Sequence, residues 1–418
     1  MKRLQKRMPK PRVKPNRSLI QTLFKFRGTY LFSAIRNAFL CLIFIILAQC
    51  SAGEKMRDSI IFTPSRDLSY PYEEIAFRQS YSQGSSPAVQ IIAGGDVMIG
   101  HWTLSYLKKH GNDYPFRGIK HVLRDHDIVF ANLEAPFADT GKIQVEKQYT
   151  FKVPTTYVQG LQSAGFNMMS LANNHILDFG FEGLQQTVYA LDRAGIHHAG
   201  AGMTAEAAWE PAIMQTASGR VALLAFSMTF PKEFWATDST GGTAYPFERK
   251  LKKALHQVRT QADIVITSFH WGKEKSHQPK DYQQHFAHFA IDHGADLVLG
   301  HHPHVLQGLE IYNGKLIAYS LGNLAFSSYS QTAVNSALLR IALTKEGDLL
   351  FARVIPLNVD NSEVEFQPKI ASEQRSRAIL TQLDTLSFKL MGRDILSDNG
   401  LIFDFLQPDS LVVKDTLF

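Results

Sequence analysis

The stretch "LVLGHHPHVLQG", residues 297–308, decides the fold. Its aliphatic start has the character of a strand buried on both faces, and it ends at Gly300. His301, His302 and His304 follow within four positions. A polar loop that is rich in histidine is one interpretation, and a metal site at the end of a strand is another. The choice depends on how the other strands end.

Short apolar runs alternate with stretches of helical spacing through most of the chain. The spacing predicts helices over 181–195, 248–261 and 282–294, and residues 336–357 read as a hairpin that closes the sheet. This alternation predicts an α/β architecture. The runs that resemble buried strands are 89–96, 126–134, 166–175, 220–228, 262–272, 295–304 and 315–323.

Residue types that bind metals stand at the ends of these runs. In open α/β sheets, sites form outside the carboxyl ends of the strands, so these side chains are expected to meet at one rim. Oxygen ligands mixed with imidazoles suit Zn²⁺, Mn²⁺ or Fe, and two such ions about 3.5–4 Å apart form a recurrent hydrolytic centre. The residues are Asp96, Asn132, Glu134, Asn173, Asn174, His175, Asp178, His270, Glu274, His301, His302 and His304.

Each member of this set has an ordinary structural interpretation. Asp96 alone would more often be a turn residue or a helix cap, and Asn173 and Asn174 tolerate turn backbone. His270 beside Trp271 could be a hydrogen-bonded core histidine. All of these interpretations must hold at once at five strand ends, so the sequence favours a shared metal site.

The charge distribution argues against nucleic acid as a partner. The chain has 418 residues and a formal net charge of +6, but residues 1–36 contain eleven Lys and Arg and no acid. The remaining residues therefore carry a net charge of −5. A mildly acidic body is unlike a basic nucleic-acid-binding surface.

The basic leader, residues 1–36, precedes a segment without charge, residues 37–53. This order is typical of a secretory signal or signal-anchor whose basic side stays in the cytoplasm. "LAQC", residues 47–50, resembles a lipoprotein lipobox, although Gln49 departs from the usual small residue. A lipoprotein lipidated at Cys50, an uncleaved anchor and a buried core helix are the three interpretations. The first two predict a bacterial cell-envelope protein, tethered to the membrane with its main domain extracytoplasmic.

Residues 54–87 are polar, contain Pro, Ser and Gly, show no sustained period and predict a flexible tether. Cys41 and Cys50 are the only cysteines and both precede the tether. The body therefore has no disulfide or thiolate ligand, so a metal there must be bound by His, Asp, Glu and Asn.

Six blocks in order resemble the bacterial capsule-synthesis CapA family, the poly-γ-glutamate capsule proteins. That family is similar in turn to the calcineurin-like metallophosphoesterase superfamily. The resemblance covers about residues 88–356. Its blocks are "GGDVMIGH" (94–101), "NLEAPF" (132–137), "LANNHILDFG" (171–180), "HWGKE" (270–274), "GHHPHVLQG" (300–308) and "YSLGNLAF" (319–326).

The resemblance implies a four-layer sandwich, two mixed sheets flanked by helices, with two divalent metal ions at one edge. It implies that His175 assists the leaving group, and we expect Asp178 to keep the His175 ring in place. Two departures affect this set: Met98 stands where the superfamily usually has a histidine, and Glu134 where it usually has Asp. One ion would be under-ligated unless His101, Asn132 or water completes it. The implied metal ligands are Asp96, Glu134, Asn174, His270, His302 and His304.

The sequence thus predicts a CapA-like domain over 88–358 and a C-terminal extension of unknown role over 359–418. The first functional hypothesis is metal-dependent hydrolysis of a phosphoester, or of an amide in an acidic polymer, during poly-γ-glutamate synthesis or processing. The second is a non-catalytic component that binds the polymer or guides its export, and the third is a metal-stabilised scaffold. The expected partners are poly-γ-glutamate or a phosphoester, the membrane and a capsule-synthesis membrane complex, with no nucleic acid.

Overall fold

The computed structural model describes residues 88–403. The predicted leader, anchor and tether lie outside these residues. Within them, no helix is both long and apolar enough to cross a membrane. The strands are β1 (Val89–Met98), β2 (Ile128–Leu133), β3 (Met168–Ser170), β4 (His197–Ala199), β5 (Ala201–Gly202), β6 (Ala212–Gln215), β7 (Arg220–Ser227), β8 (Gly242–Thr243), β9 (Ile264–His270), β10 (Leu297–His301), β11 (Leu309–Tyr312), β12 (Lys315–Ala318), β13 (Asn323–Phe326), β14 (Asn335–Leu343), β15 (Leu349–Asn358) and β16 (Lys369–Ile370).

The helices lie between these strands and after them, and the three predicted helices form within two residues of the predicted bounds. The α-helices are α1 (Leu104–His110), α2 (Lys120–Leu123), α3 (Val158–Ala164), α4 (Gly180–Arg193), α5 (Ala205–Trp209), α6 (Glu248–Arg259), α7 (Asp281–Asp292), α8 (Asn361–Val364) and α9 (Glu373–Met391).

The first sheet, sheet I, has the strand order β16-β15-β14-β1-β2-β3-β4. Strands β1 to β4 are parallel, whereas β14, β15 and β16 are antiparallel additions. The predicted hairpin is β14 and β15. Strand β13 runs parallel to the carboxyl end of β1, where Asp96 lies opposite Asn323.

The second sheet, sheet II, has the order β11-β12-β10-β9-β7-β6. Its four central strands are parallel, and the edge strands β11 and β6 are antiparallel. Both sheets are therefore mixed, as predicted.

Three apolar clusters separate four layers. One cluster fills the space between the sheets and includes Ile91, Phe130, Ile266 and Leu299. A second packs α1, α3 and α4 on the outer face of sheet I, and the third packs α6 and α7 on the outer face of sheet II. Alternate residues of each strand enter opposite clusters, which is why these strands read as continuous apolar runs. The predicted four-layer α/β sandwich is confirmed.

The region after residue 358 contributes to the same core. Helix α9 contacts β11 of sheet II and β15 of sheet I. Its Ile379 and Leu383 are fully buried in the cluster between the sheets. Part of the predicted C-terminal extension therefore covers one edge of the inter-sheet core.

Candidate metal centre

The site begins at the carboxyl end of β1. The Asp96 amide donates to the Gly322 carbonyl at 3.0 Å. A Cβ on Gly95 would lie 1.8 Å from that carbonyl oxygen, so only glycine allows this approach. The close contact brings β13 against β1 and places Asp96, fully buried, at the rim of sheet I.

Sheet II contributes its side chains at the ends of β9 and β10, where His270 lies opposite His301. Gly300 precedes the histidines because a Cβ there would lie 2.0 Å from the Tyr319 carbonyl oxygen. The backbone then turns sharply, with φ at 93° for His302 and 60° for His304. Such left-handed values are costly for residues with a Cβ and are concentrated at functional sites.

Direct contacts join the two rims into one seam. The His302 amide donates to Asp96 Oδ2 at 3.2 Å, and His304 Nδ1 lies 3.2 Å from the same oxygen. Glu134 Oε1 lies 3.5 Å from His270 Nε2 and 3.8 Å from His304 Nε2. The structure thus brings together carboxylates from sheet I and imidazoles from sheet II.

Two groups of ligand atoms are close enough to hold a cation, and each set of atoms lies within 4.8 Å of one another. One group is Asp96, Glu134 and His270, and the other is Glu134, His302 and His304. Glu134 belongs to both, which matches the bridging position that the resemblance implies. Asn174, the remaining predicted ligand, has its Oδ1 2.8 Å from His270 Nε2.

The residues fit a divalent metal pair. Glu134 Oε1 and His302 Nδ1 are buried and have no hydrogen-bond partner among the described residues. Buried polar atoms are almost always satisfied, so unsatisfied ones next to other ligand atoms require an explanation. Carboxylates and neutral imidazoles together are the donor set of Zn²⁺, Mn²⁺ and Fe sites.

The two carboxyl groups differ in acidity. Burial raises the pKa of Glu134 well above its usual value, and the neighbouring Asp96 raises it further. Burial also acts to raise the pKa of Asp96, but hydrogen bonds from His301 and His304 outweigh it and hold the pKa well below its usual value. Two buried carboxylates side by side repel each other, and a bound cation relieves this repulsion.

The imidazoles are held in the form that binds metal. Burial lowers the pKa of His270 well below its usual value, with a further contribution from His302. Burial lowers the pKa of His302 to about 3. Metal ligation requires the unprotonated ring, so neither side chain has to lose a proton at neutral pH.

His175 and Asp178 form a pair beside this centre, as predicted. His175 Nδ1 lies 2.9 Å from Asp178 Oδ2, and that oxygen also accepts from the Phe151 amide at 2.7 Å. Lys147 Nζ lies 2.5 Å from Asp178 Oδ1 and 3.0 Å from His175 Nδ1. Lys147 also donates to the Asn174 carbonyl oxygen. The His175–Asp178 pair is thus part of a buried network that also includes the Lys147 ammonium group.

Two asparagines hold the carboxylates in place. Asn132 Nδ2 donates to Asp96 Oδ1 at 2.8 Å, while its Oδ1 accepts from Asn173 at 3.2 Å. Asn173 in turn caps the turn at His175, whose amide donates to its Oδ1 at 3.1 Å. Asn132 therefore directs its amide nitrogen at the carboxylates.

The other departures from the family pattern also have a place in the structure. Met98 is buried, and Ser327 Oγ donates to its sulfur at 3.1 Å. His101 is exposed, with φ at 54°. The buried imidazole next to Asp96 is instead His301, whose Nδ1 lies 3.5 Å from Asp96 Oδ1.

Sequence reasoning placed His301 in the candidate set at the rim but not among the implied ligands, and it missed Lys147 and Asn323. Asn323 Oδ1 lies 3.0 Å from His304 Nδ1. Asn323 ends the predicted strand run at 315–323, so its position at a strand end could have identified it as a site residue. Lys147 lies in a loop without periodicity, and nothing in its neighbourhood marks it.

Comparison with known proteins agrees with this arrangement. Residues 90–328 match the family described as bacterial capsule synthesis protein PGA_cap. The chain belongs to this family. The predicted relationship to the CapA proteins is confirmed, and all eight predicted site residues fall within the matched range.

Two relatives of this PGA_cap member carry descriptive names. The capsule biosynthesis protein CapA of Bacillus anthracis is 32% identical over 273 residues, which cover 63% of this chain and 66% of that protein. The PGA biosynthesis protein CapA of Bacillus subtilis is 29% identical over 323 residues, or 77% and 83% of the two chains. The chain therefore spans just under two thirds of the first relative's length.

Among solved structures, a calcineurin-like phosphoesterase of Bacillus subtilis aligns with 72% of this chain and 97% of its own, at 12% identity and a TM-score of 0.38. A likeness of this size carries no argument about activity. The four-layer architecture and the seam are established by the contacts within this structure.

Proposed function

We propose that this protein is a metal-dependent hydrolase that acts in the synthesis or processing of a capsule polymer of the poly-γ-glutamate type. One observation carries the proposal: Glu134 is shared by two groups of ligand atoms and keeps an unpartnered buried oxygen between them. Membership of the PGA_cap family supports such a polymer as the substrate, and two relatives are named for capsule and PGA biosynthesis.

Each sheet would supply part of the metal-binding set. Asp96, Glu134 and Asn174 come from sheet I, and His270, His302 and His304 from sheet II. When bound, such ions lower the pKa of water and neutralise charge on a phosphoryl or carbonyl group.

His175 is positioned to move a proton. Its Nδ1 is held by the Asp178 carboxylate, so Nε2 is the atom that can exchange a proton with a leaving group. Burial lowers the pKa of His175, which makes the protonated ring a stronger acid. Lys147 stabilises the carboxylate that orients the ring.

A second candidate function is binding or export of the polymer without turnover. The observation in its favour is Met98, whose sulfur accepts a hydrogen bond from Ser327 where the resemblance implies a histidine ligand. A centre with one weak site could grip carboxylates without activating water.

The protein would act at the bacterial cell envelope. The basic leader over 1–36, the uncharged segment over 37–53 and the lipobox-like Cys50 support a membrane tether with the metal centre outside the cytoplasm. A capsule-synthesis complex in the membrane is the partner that this location suggests.

The decisive experiment measures metal content and turnover on the same samples. The full chain, purified without chelator, is analysed for metals and assayed with Mn²⁺ on an aryl phosphomonoester, an aryl phosphodiester and poly-γ-glutamate. The test variants are the double substitution His302→Ala with His304→Ala, and His175→Ala. The control replaces two exposed histidines, His121 and His285, with alanine.

We expect about two metals per chain, lost in the double variant and kept in the control. His175→Ala should keep the metal and lose turnover. Bound metal without hydrolysis of any of the three substrates would favour the polymer-binding function. A native protein that binds no metal would refute both.

A further inference from the structure

A row of aromatic rings that the proposed chemistry does not use lies beside the seam. We call Phe230, Trp235, Tyr245 and Phe247 the aromatic ladder, and successive ring centroids are 6.1, 4.2 and 4.8 Å apart. Phe230 is 69% exposed and Phe247 is 58% exposed. Large apolar side chains grouped in solvent are typical of a binding surface.

The ladder is joined to the candidate centre. It follows β7, and the Met228 amide donates to the carbonyl of His270 at 2.9 Å. Lys147, which contacts His175, also lies 5.2 Å from the centre of the Phe234 ring. The segment that carries the ladder therefore contacts both the strand end at His270 and the lysine beside His175.

The segment that carries the ladder is firmly held. The amides of Ser227 and Ala236 donate to the carbonyls of Ala244 and Thr243, both at 2.8 Å. The Trp235 indole donates to the carbonyl of Thr229 at 2.9 Å. These bonds fix the backbone of the segment and the Trp235 ring, which reduces the conformational entropy lost when a ligand binds.

A row of cations begins where the ladder ends, because Phe247 directly precedes α6. Arg249, Lys252, Lys253 and His256, the basic stripe, are exposed and spaced for one face of this helix. They line an open groove of about 840 Å³ together with Trp209. None of the described residues that line this groove is acidic.

The charges around the ladder and the stripe favour binding of an anionic ligand. Lys232 Nζ lies 5.7 Å from the ring centres of both Phe230 and Trp235. Of the nearby acids, Glu248 is paired with His285 Nε2 at 2.7 Å, and Glu233 is exposed beside Lys232. Glu210 is exposed next to the groove residue Trp209, so cations outnumber acids here. The basic stripe stands out against a body, residues 37–418, that carries a net charge of −5.

We infer that the ladder and the stripe together form one binding track for a linear polycarboxylate. This inference rests on the proposed function and names the class of its substrate. Methylene groups of such a chain would pack on the ring faces, while its carboxylates would pair with the cations. The twelve residues of α6 extend the track by about 18 Å. A groove lined by a row of cations fits a single chain, whereas a bilayer surface needs a protruding face.

The test measures binding of poly-γ-glutamate to the full chain by calorimetry at low salt, with a short and a long polymer fraction. The first variant reverses the stripe with Lys252→Glu and Lys253→Glu. Its matched control, Lys108→Glu with Lys109→Glu, changes two adjacent exposed lysines on α1, in the layer beyond sheet I. Anionic phosphatidylglycerol vesicles serve as the alternative ligand.

A second pair of variants tests the ladder. Phe230→Ala removes an exposed ring that lies beneath a lysine, and Tyr189→Ala is the control. Tyr189 is 61% exposed on α4, with the Arg193 guanidinium 5.7 Å from its ring centre. The two substitutions therefore remove similar surface groups from different faces.

We expect the stripe reversal to weaken binding of the long fraction at least tenfold and the lysine control to change it less than twofold. Phe230→Ala should weaken binding about threefold and Tyr189→Ala should not. Equal losses in test and control variants, or no loss in the stripe reversal, would overturn the proposal. Loss of vesicle binding with intact polymer binding would do the same and assign the surface to lipid.

Failure of the proposed function gives a different result. If native protein hydrolyses none of the substrates, the hydrolase proposal fails, but the binding comparison can still support the track. If the stripe reversal keeps turnover of the aryl esters and binds polymer as native protein does, only the track is refuted.

Discussion

Replacing Asp178 with Asn should destabilise the protein through the lysine that it leaves behind. Asp178 is fully buried and contacts Lys147, His175 and the Phe151 amide. Asparagine keeps the shape and can still accept from the amide, but the negative charge is lost. Lys147, whose side chain is only 18% exposed, then stays in a buried site without its counter-ion.

The size of the effect follows from this burial. Removing one partner of a buried ion pair typically costs about 3–5 kcal/mol. Because Lys147 keeps some contact with water, we expect the lower end, about 3 kcal/mol of unfolding free energy. A double variant, Asp178→Asn with Lys147→Met, removes both charges and should recover part of that loss.

Guanidinium unfolding of the full chain, followed by tryptophan fluorescence, measures both changes. Asp192→Asn is the control, because Asp192 also pairs with a histidine, His198, at 3.1 Å but is 63% exposed. Its cost should stay below about 0.5 kcal/mol. Equal costs for the two single variants, or a double variant as unstable as Asp178→Asn, would show that the buried charge is not the cause.

Three other predictions concern the seam and the core. In chelator-treated protein, the pKa of His302 is about 3 in the folded state and near 6.5 in the unfolded state, so the unfolded chain takes up the proton first. Stability should therefore fall as the pH drops from 6.5 towards 3, by up to about 4 kcal/mol, and pH-dependent unfolding of His302→Asn should show a shallower fall. Gly300→Ala should abolish metal binding and lower the melting temperature, because the added Cβ would clash with a backbone carbonyl oxygen. Gly100→Ala is the control and should have neither effect, because its added Cβ would have its nearest neighbour at 3.4 Å. Leu383→Ala on α9 should cost about 3 kcal/mol in denaturant unfolding, whereas Phe388→Ala, 48% exposed on the same helix, should cost less than about 1 kcal/mol; similar costs would mean that α9 does not seal the core.

The layers of the fold were predictable because buried strands leave a local pattern. The run at 220–228 became β7 (Arg220–Ser227), and the run at 336–357 became the β14–β15 hairpin. Ligand residues could be predicted for the same reason, since each lies at or shortly after the carboxyl end of a strand at the rim. Parallel pairing then brings those ends together.

The rest depended on contacts between distant residues. The run at 315–323 resembles one strand, but residues 315–318 pair with β10 in sheet II while Asn323 begins a strand in sheet I. Lys147 contacts Asp178 from a loop that has no sequence periodicity. Helix α9 contacts strands of both sheets, although it lies after the residues that match the family. No local periodicity encodes which element such residues will meet.

The seam also bears on when this protein would acquire the ions that we propose. Asp96 and His302 stand 206 positions apart in the chain, and each sheet holds only part of the donor set. A nascent or half-folded chain therefore lacks the complete cluster, so the proposed ions would bind only after the two sheets have docked. The cation in the centre would then be selected by the metal pool of the compartment in which that docking takes place, more than by the affinity of any single side chain.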